Sequence, residues 1–271
     1  MLFLPSYASG RERTLRAVLL GFVVAVLLFL VAPLIVVVPL SFSQEAFFTF
    51  PITHYSLRWY DDFFGNPRWL SSLSNSVVVA VATTLLATLL GTAASLGLAR
   101  PGFPWRRAVM SVMLLPMIVP VVIVAVGSYL FFGRLGLVDT RAGLILAHTA
   151  LALPFVVVTV LATLSGYDTN LTRAGLSLGA PPFSVFLRVT LPAIMPGIVS
   201  GAIFAFAVSF DEVVVALFLT SADRRTLPVQ MFSGIRDQIN PTIMAAATFL
   251  FALSILLFLT AGWLSRRGAK A

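Results

Sequence analysis

Residues 168–192 read DTNLTRAGLSLGAPPFSVFLRVTLP. This moderately polar stretch lies between two strongly apolar runs, and its local chemistry spells two short helices with a break. Asp168 or Thr169 supplies a side-chain oxygen for an orphan amide at the first helix start. Leu171, Ala174 and Leu178 then share one helical face. Gly179 stands where a left-handed residue closes a helix. Pro181 and Pro182 suit the first turn of a second helix, where a missing N–H does no harm. Phe183, Phe186 and Leu187 give that helix an apolar face, and Pro192 is expected to end the unit. Small Ala174 and Gly175 would let another protein's backbone come close.

The flanking sequence is too oily for a soluble domain. Apolar residues make up 59% and charged residues 10% of the chain, against about 45–50% and about 25% in soluble proteins. The excess must face lipid. The net charge of +8 does not indicate nucleic acid, because the arginines are scattered among the connections rather than gathered on one face. There is no cysteine, which removes disulfides, thiolate metal sites and cysteine nucleophiles. The only lysine is Lys270, and no GxxxxGK[ST] run exists, so ATP is not bound through a P-loop.

Six apolar runs suit membrane-spanning helices: residues 17–40, 71–98, 108–132, 142–164, 193–220 and 241–264. The first is too long for a signal-peptide core and lacks a small-residue cleavage site, so it reads as a retained span. Pro33 and Pro39 are expected to kink its outer end. Residues 41–70 form the longest polar loop, with Trp59, Tyr60 and Trp69 suited to the headgroup level. Pro116 and Pro120 inside the third run require protein or water to satisfy the freed backbone, which places that helix inside the bundle. Residues 221–240 read as a loop. One membrane domain, 17–264, is expected between an N-terminal segment, 1–16, and a tail, 265–271.

Six spans put both termini on one side. That side, with the 99–107 turn and the 165–192 unit, carries eleven Lys and Arg, and the other carries seven. The excess of positive charge inside places the termini and residues 168–192 in the cytoplasm.

Asp211 and Glu212 lie in the otherwise apolar fifth run. Each ionised acid near the bilayer centre costs about 2.5–3.5 kcal/mol on insertion scales, so the two need water, a partner or a ligand. Neighbours on a helix point about 100° apart. One can line a pathway while the other pairs with an arginine or caps a neighbouring helix. With Ser209 and Phe210 they are candidates for a cation-attracting translocation path, and a structural pair near the outer interface is the alternative. His148 has only His54 as a fellow histidine and no metal-ligand spacing. It is expected to be a hydrogen-bonded structural residue. No catalytic set is found.

The first stretch also carries a family likeness. It resembles the cytoplasmic signature of the membrane subunits of bacterial ATP-binding-cassette importers: Glu-Ala-Ala, three residues, Gly, nine residues, Ile-x-Leu-Pro. Here Arg173-Ala174-Gly175 is followed at the same spacing by Gly179 and by Val189-Thr190-Leu191-Pro192. Ala174, Gly179, Leu191 and Pro192 are identical to it. Arg173 stands in place of the acid and Gly175 in place of the second alanine. Residues 209–220 (SFDEVVVALFLT), 225–231 (RTLPVQM) and 239–242 (INPT) are similar to the spermidine/putrescine-type permeases, at the second of two paired subunits. Leu57-Arg58-Trp59-Tyr60 followed by Asn75-Ser76 resembles the start of their transport core. Permeases for opines, phosphonates and ferric iron share much of this pattern.

The resemblance implies an all-α membrane protein of six spanning helices, with the type I (MetI-like) importer permease fold and a cytoplasmic coupling helix. It implies a transport subunit of the bacterial inner membrane, not an enzyme. Its expected partners are a homologous second permease, an ATP-binding cassette ATPase dimer and a periplasmic solute-binding protein. The chain itself would bind no cofactor, ATP and magnesium staying on the ATPase. Coupling contacts would come from Leu171, Arg173, Ala174, Gly175, Leu178, Gly179, Ala180, Phe186, Leu191 and Pro192. A polyamine or related cation is the expected cargo. An ion-coupled secondary transporter using Asp211, Glu212 or His148, a membrane-embedded enzyme, and the same permease with another cargo are the rivals.

Overall fold

The computed structural model describes residues 10–47, 49–100, 102–237 and 241–268. Residues 1–9 of the expected N-terminal segment lie outside them, as do Ile239, Asn240 and the tail end with Lys270. Among the described residues the architecture is helical, and the nearest approach to a sheet is a single antiparallel bridge between Ser43 and Tyr55. Two compact units are present, one of residues 1–63 with 239–249 and one of 64–238 with 250–271.

The first unit holds α1 (Gly10–Leu40), most of α2 (Arg58–Gly65) and the start of α12 (Thr242–Gly268). Pro33 and Pro39 are accommodated inside α1, whose leucines, valines and Phe22 and Phe29 are exposed from Leu15 to Val31, as lipid-facing side chains are, while Leu34, Val37 and Val38 are half-buried and Leu40 is buried. The polar loop after it folds back on itself. Ser56 N–H donates to the Phe42 carbonyl at 2.7 Å, Gln44 N–H to that of His54 at 3.0 Å, and Ser41 pairs with the Tyr60 hydroxyl at 2.7 Å. Helix α2 arises within the region expected to be loop. It buries Trp59 and Phe63, and the Thr242 hydroxyl donates to Asp62.

The second unit is built around α6 (Arg141–Ser165), flanked by α3 (Pro67–Leu98) and α9 (Leu191–Phe210). Asn66 caps α3 through its side chain, and Thr140 caps α6 by accepting from Gly143 N–H. Val156 is fully buried at the crossing. A Cβ on Gly91 of α3 would lie 2.7 Å from Val156 Cγ1, and one on Gly201 of α9 would lie 3.0 Å from Val156 Cα. Membrane helices gain little from hydrophobic sorting against lipid, so small residues that admit close backbones decide where they touch. Ser95 adds a hydroxyl bond across the same seam, to the Val157 carbonyl at 3.3 Å. Two apolar clusters result, one along Ala87, Ala152, Val156, Val160, Ile194 and Ala205, the other around Val79, Leu144, Ala147 and Leu151.

Three expectations are corrected. The third span is broken into α4 (Arg106–Ile118) and α5 (Val121–Arg134), bent by 104°. Val119 precedes Pro120 and adopts an extended ψ of 133°, because the proline ring disfavours helical geometry in the residue before it. The prolines are handled by a bend, not by burial: α4 buries no side chain and α5 only Ala125. The fifth span stops at Phe210 and resumes as α10 (Val214–Leu219). The expected loop 221–240 contains a 3-10 turn, Ala222–Arg224, and α11 (Leu227–Asp237). Among the described residues four helices, α1, α3, α6 and the one ending in α9, are long and apolar enough to span a membrane, and the bent α4–α5 pair makes a fifth if taken as one span. Helix α12, apolar from Thr242 to Leu256, stands where the sixth is expected.

Gly201→Leu should overpack the α6–α9 crossing at a cost of about 1–3 kcal/mol, seen as a lower unfolding midpoint in detergent. Gly127→Ala, where a Cβ meets open space, should leave the midpoint unchanged.

Candidate functional site

Two sets of residues stand out, one on the 168–192 hairpin and one at the α9–α10 break. On the hairpin, Asp168 is the cap: it accepts from Asn170 N–H at 2.9 Å and starts α7 (Thr169–Ser177). Gly179 adopts φ +83°. Its N–H donates to the Leu176 carbonyl and that of Ala180 to the Gly175 carbonyl, at 3.0 and 3.3 Å. This double closure satisfies the carbonyls at the end of the helix and requires a residue at ease in the left-handed region. Pro181 and Pro182 then open α8 (Pro182–Val185).

Pro192 does not end the unit. The helix runs on from α8 through a π-turn, Phe186–Thr190, directly into α9. A proline ring clashes with the carbonyl four residues back, here that of Arg188. Widening the preceding turn relieves this, and Leu191 N–H reaches the Phe186 carbonyl five residues back. The Tyr167 hydroxyl bonds the Thr172 hydroxyl at 2.7 Å, and Thr190 lies within 3.4 Å of both. That polar knot ties α7 to the π-turn. None of its three members was suggested by the sequence pattern.

The expected coupling residues divide by exposure. Leu171, Arg173, Ala174, Gly179 and Pro192 are exposed, and Ala180, Phe186 and Leu191 are half-buried. Leu178 is 88% and Phe183 72% exposed, an unusual state for large apolar side chains on a polar hairpin. Gly175 is placed differently. A Cβ there would lie 3.1 Å from a Val185 methyl, so its small size serves packing within the hairpin and not the approach of another protein.

At the break, Ser209 and Phe210 are buried in the last turn of α9, and Asp211 is exposed. Phe210 stacks on Phe206 with centroids 5.2 Å apart. Glu212 caps α10: one carboxylate oxygen accepts from Val214 N–H and the other from Ala216 N–H, both at 3.1 Å. A carboxylate at a helix N-terminus also opposes the positive end of its dipole. His148, fully buried on α6, bonds Ser209 Oγ through Nδ1 at 2.9 Å, and its Nε2 is 3.8 Å from Glu212 Oε2. The two acids, adjacent in sequence, thus have separate settings. His148 is hydrogen-bonded, as expected, while its approach to Glu212, 64 residues away, had no spacing signal.

Residues 87–270 match the family described as the binding-protein-dependent transport system inner membrane component. The chain belongs to that family. The spermidine/putrescine transport system permease protein PotC of Escherichia coli is 29% identical over 92% of this chain and 94% of its own length. The putrescine transport system permease protein PotI of the same species is 32% identical, over 93% and 90%. In structure, a bacterial alginate ABC transporter, crystallised in complex with an alginate pentasaccharide-bound periplasmic protein, superposes with a TM-score of 0.73 at 20% identity over 95% of both chains. The fold is that of ABC importer permeases, and the chain is a transport subunit rather than an enzyme.

The permease fastens α10 from the other end as well. Asp139, at φ +57°, donates its N–H to the Leu219 carbonyl and accepts at Oδ1 from Ser221 N–H, both at 2.9 Å. Asn75 accepts from Arg141 at 2.8 Å, and Ser76 Oγ accepts from Leu227 N–H at 2.7 Å, which pins the segment after α10 to α3. The Ser221 backbone bond, helped by the Ser221 hydroxyl and the Arg224 charge, holds the Asp139 carboxyl below its ordinary value of 3.8. A folded value below the unfolded one means stability that is fully present above pH 3.8 and lost as pH falls through the folded value. Hydrogen exchange should therefore show protection of the Ser221 amide falling on acidification below that point. In Asp139→Asn, which keeps an acceptor but cannot titrate, protection should be lower at neutral pH and flat with acid.

Proposed function

We propose that this permease is one of two paired membrane subunits of an ATP-driven polyamine importer, driven through residues 168–192 and presenting Asp211 to a cationic cargo. The single observation that carries the mechanical half is the hairpin, a rigidly capped turn that exposes Leu178 and Phe183 to nearly full contact. Exposed apolar anchors on an ordered element are what a protein groove takes up. The excess of arginine on that side supports a cytoplasmic setting for the hairpin and for both termini. The partners are then a homologous permease, a pair of ATPase subunits that hold ATP and magnesium, and a periplasmic solute-binding protein. ATPase closure moves the hairpin, and the helices rock to open the path outward.

The cargo rests on two supports. PotC and PotI are named for spermidine and putrescine. Asp211 is an exposed carboxylate at a break in an apolar helix, where a cation replaces part of the water it would otherwise need. Glu212 is engaged as a cap, which leaves Asp211 as the acid on offer. Arg141, in one of the outer connections, is engaged by Asn75 at 2.8 Å.

The test is ATP-dependent uptake of radiolabelled putrescine and spermidine into proteoliposomes holding the complete transporter. Gly179→Val forces a β-branched residue into left-handed backbone, at about 1–3 kcal/mol, and should uncouple ATP hydrolysis from uptake while insertion stays normal. Asp211→Asn should raise the KM for the polyamine about tenfold, the worth of one hydrogen bond to a charged group. Normal uptake by the first variant overturns the coupling role, and unchanged kinetics in the second overturns the cargo-facing role.

A further inference from the structure

Three polar side chains are buried together where α6 meets the α9–α10 break, in surroundings that are otherwise apolar. His148 comes from the N-terminal half of α6, Ser209 from the last turn of α9, and Glu212 from the link before α10. His148 and Ser209 are 0% and 3% exposed, and the Glu212 side chain 9%. The imidazole touches both sides of the break. Nδ1 bonds Ser209 before it at 2.9 Å, and Nε2 faces Glu212 after it at 3.8 Å. Asp211 is held in the short link between those two anchors. Glu212 in turn holds α10 by two backbone amides.

We infer that His148 and Glu212 form a latch that fixes the α9–α10 break and thereby sets the direction in which Asp211 is presented. His148 is suited to this because α6 is the most enclosed helix of its unit, with Val156 locked two turns away between Gly91 and Gly201. A ring on such a helix is a fixed reference. Without it, the break is held by the Glu212 cap and by Asp211 N–H, which donates to the Ala207 carbonyl at 3.1 Å, and Glu212 itself lies in neither helix. His148 Nε2 is buried with no hydrogen-bond partner, a costly state in an apolar setting, and the charged group it faces is the Glu212 carboxylate. His148 and Glu212 are positioning residues here: the imidazole bonds Ser209 and faces Glu212, Glu212 bonds the α10 backbone, and Asp211 is the exposed group. The inference rests on the reading of Asp211 as cargo-facing only for its consequence, since the latch itself is a statement about geometry.

The chain has no cysteine, so D211C places a single thiol at the presented position. In the complete transporter, the rate of its reaction with a methanethiosulfonate ethylammonium reagent, read by mass on this chain, reports that position. Adding His148→Asn, which keeps the reach to Ser209 and removes the atom facing Glu212, should change the rate about tenfold. Glu212→Gln, of the same volume but with one acceptor oxygen fewer, should do likewise and serves if the first variant does not assemble. His148→Gln, whose amide reaches the place of Nε2, should restore the parent rate. Unchanged rates in both His148→Asn and Glu212→Gln overturn the latch. A changed rate, together with normal polyamine uptake in Asp211→Asn, keeps the latch and removes the cargo role alone.

Discussion

The helices of this permease depend on how closely three backbones can approach at Val156. Lipid is as apolar as a leucine side chain, so nothing squeezes greasy helices together as water does in a soluble core. Contact must be won by fit. Gly91 on one side and Gly201 on the other leave no room for a Cβ, and Ser95 adds a bond to the Val157 carbonyl across one seam. The result is a rigid trio of α3, α6 and α9. The elements that carry other duties are attached to it: the polar hairpin at one end of α9, the acidic break at the other, and the bent α4–α5 pair alongside.

Prolines and glycines decide where the apolar runs stop being simple rods, and they were only partly legible in the sequence. Asp168, Gly179 and Pro182 act within a turn of where they stand, so the hairpin could be read from spacing alone. Its family likeness rested on the same local facts. Pro120 and Pro192 were visible too, but a proline in lipid has several outcomes. At 119–120 the chain bends by 104°, and at 186–190 it widens one turn and carries on. Which outcome applies depends on what lies beside the helix, and that is not a local property. The same holds for α11, whose seam with α3 is made by Ser76 and Leu227, 151 residues apart.

The acid pair shows the limit more sharply. Helical periodicity says that neighbours point apart, but neither acid lies within a helix. It could not say that the helix would end at Phe210, or that Glu212 would spend both oxygens on the amides of the next helix. Nor could it bring His148 to the same place, since that contact depends on how α6 crosses α9. The distinction matters chemically. A carboxylate bound to two backbone donors has its charge already answered, whereas Asp211 beside it does not. One residue's separation in sequence divides a structural role from an exposed one.

The widened turn before Pro192 has a mechanical result. Because the chain does not break there, Pro182–Phe210 is one unjointed strut of 29 residues, about 40 Å from end to end. A helix unbroken over that length has its first interruption at residues 211–213. The strut's interruption therefore sits at the acidic end, not beside the polar hairpin.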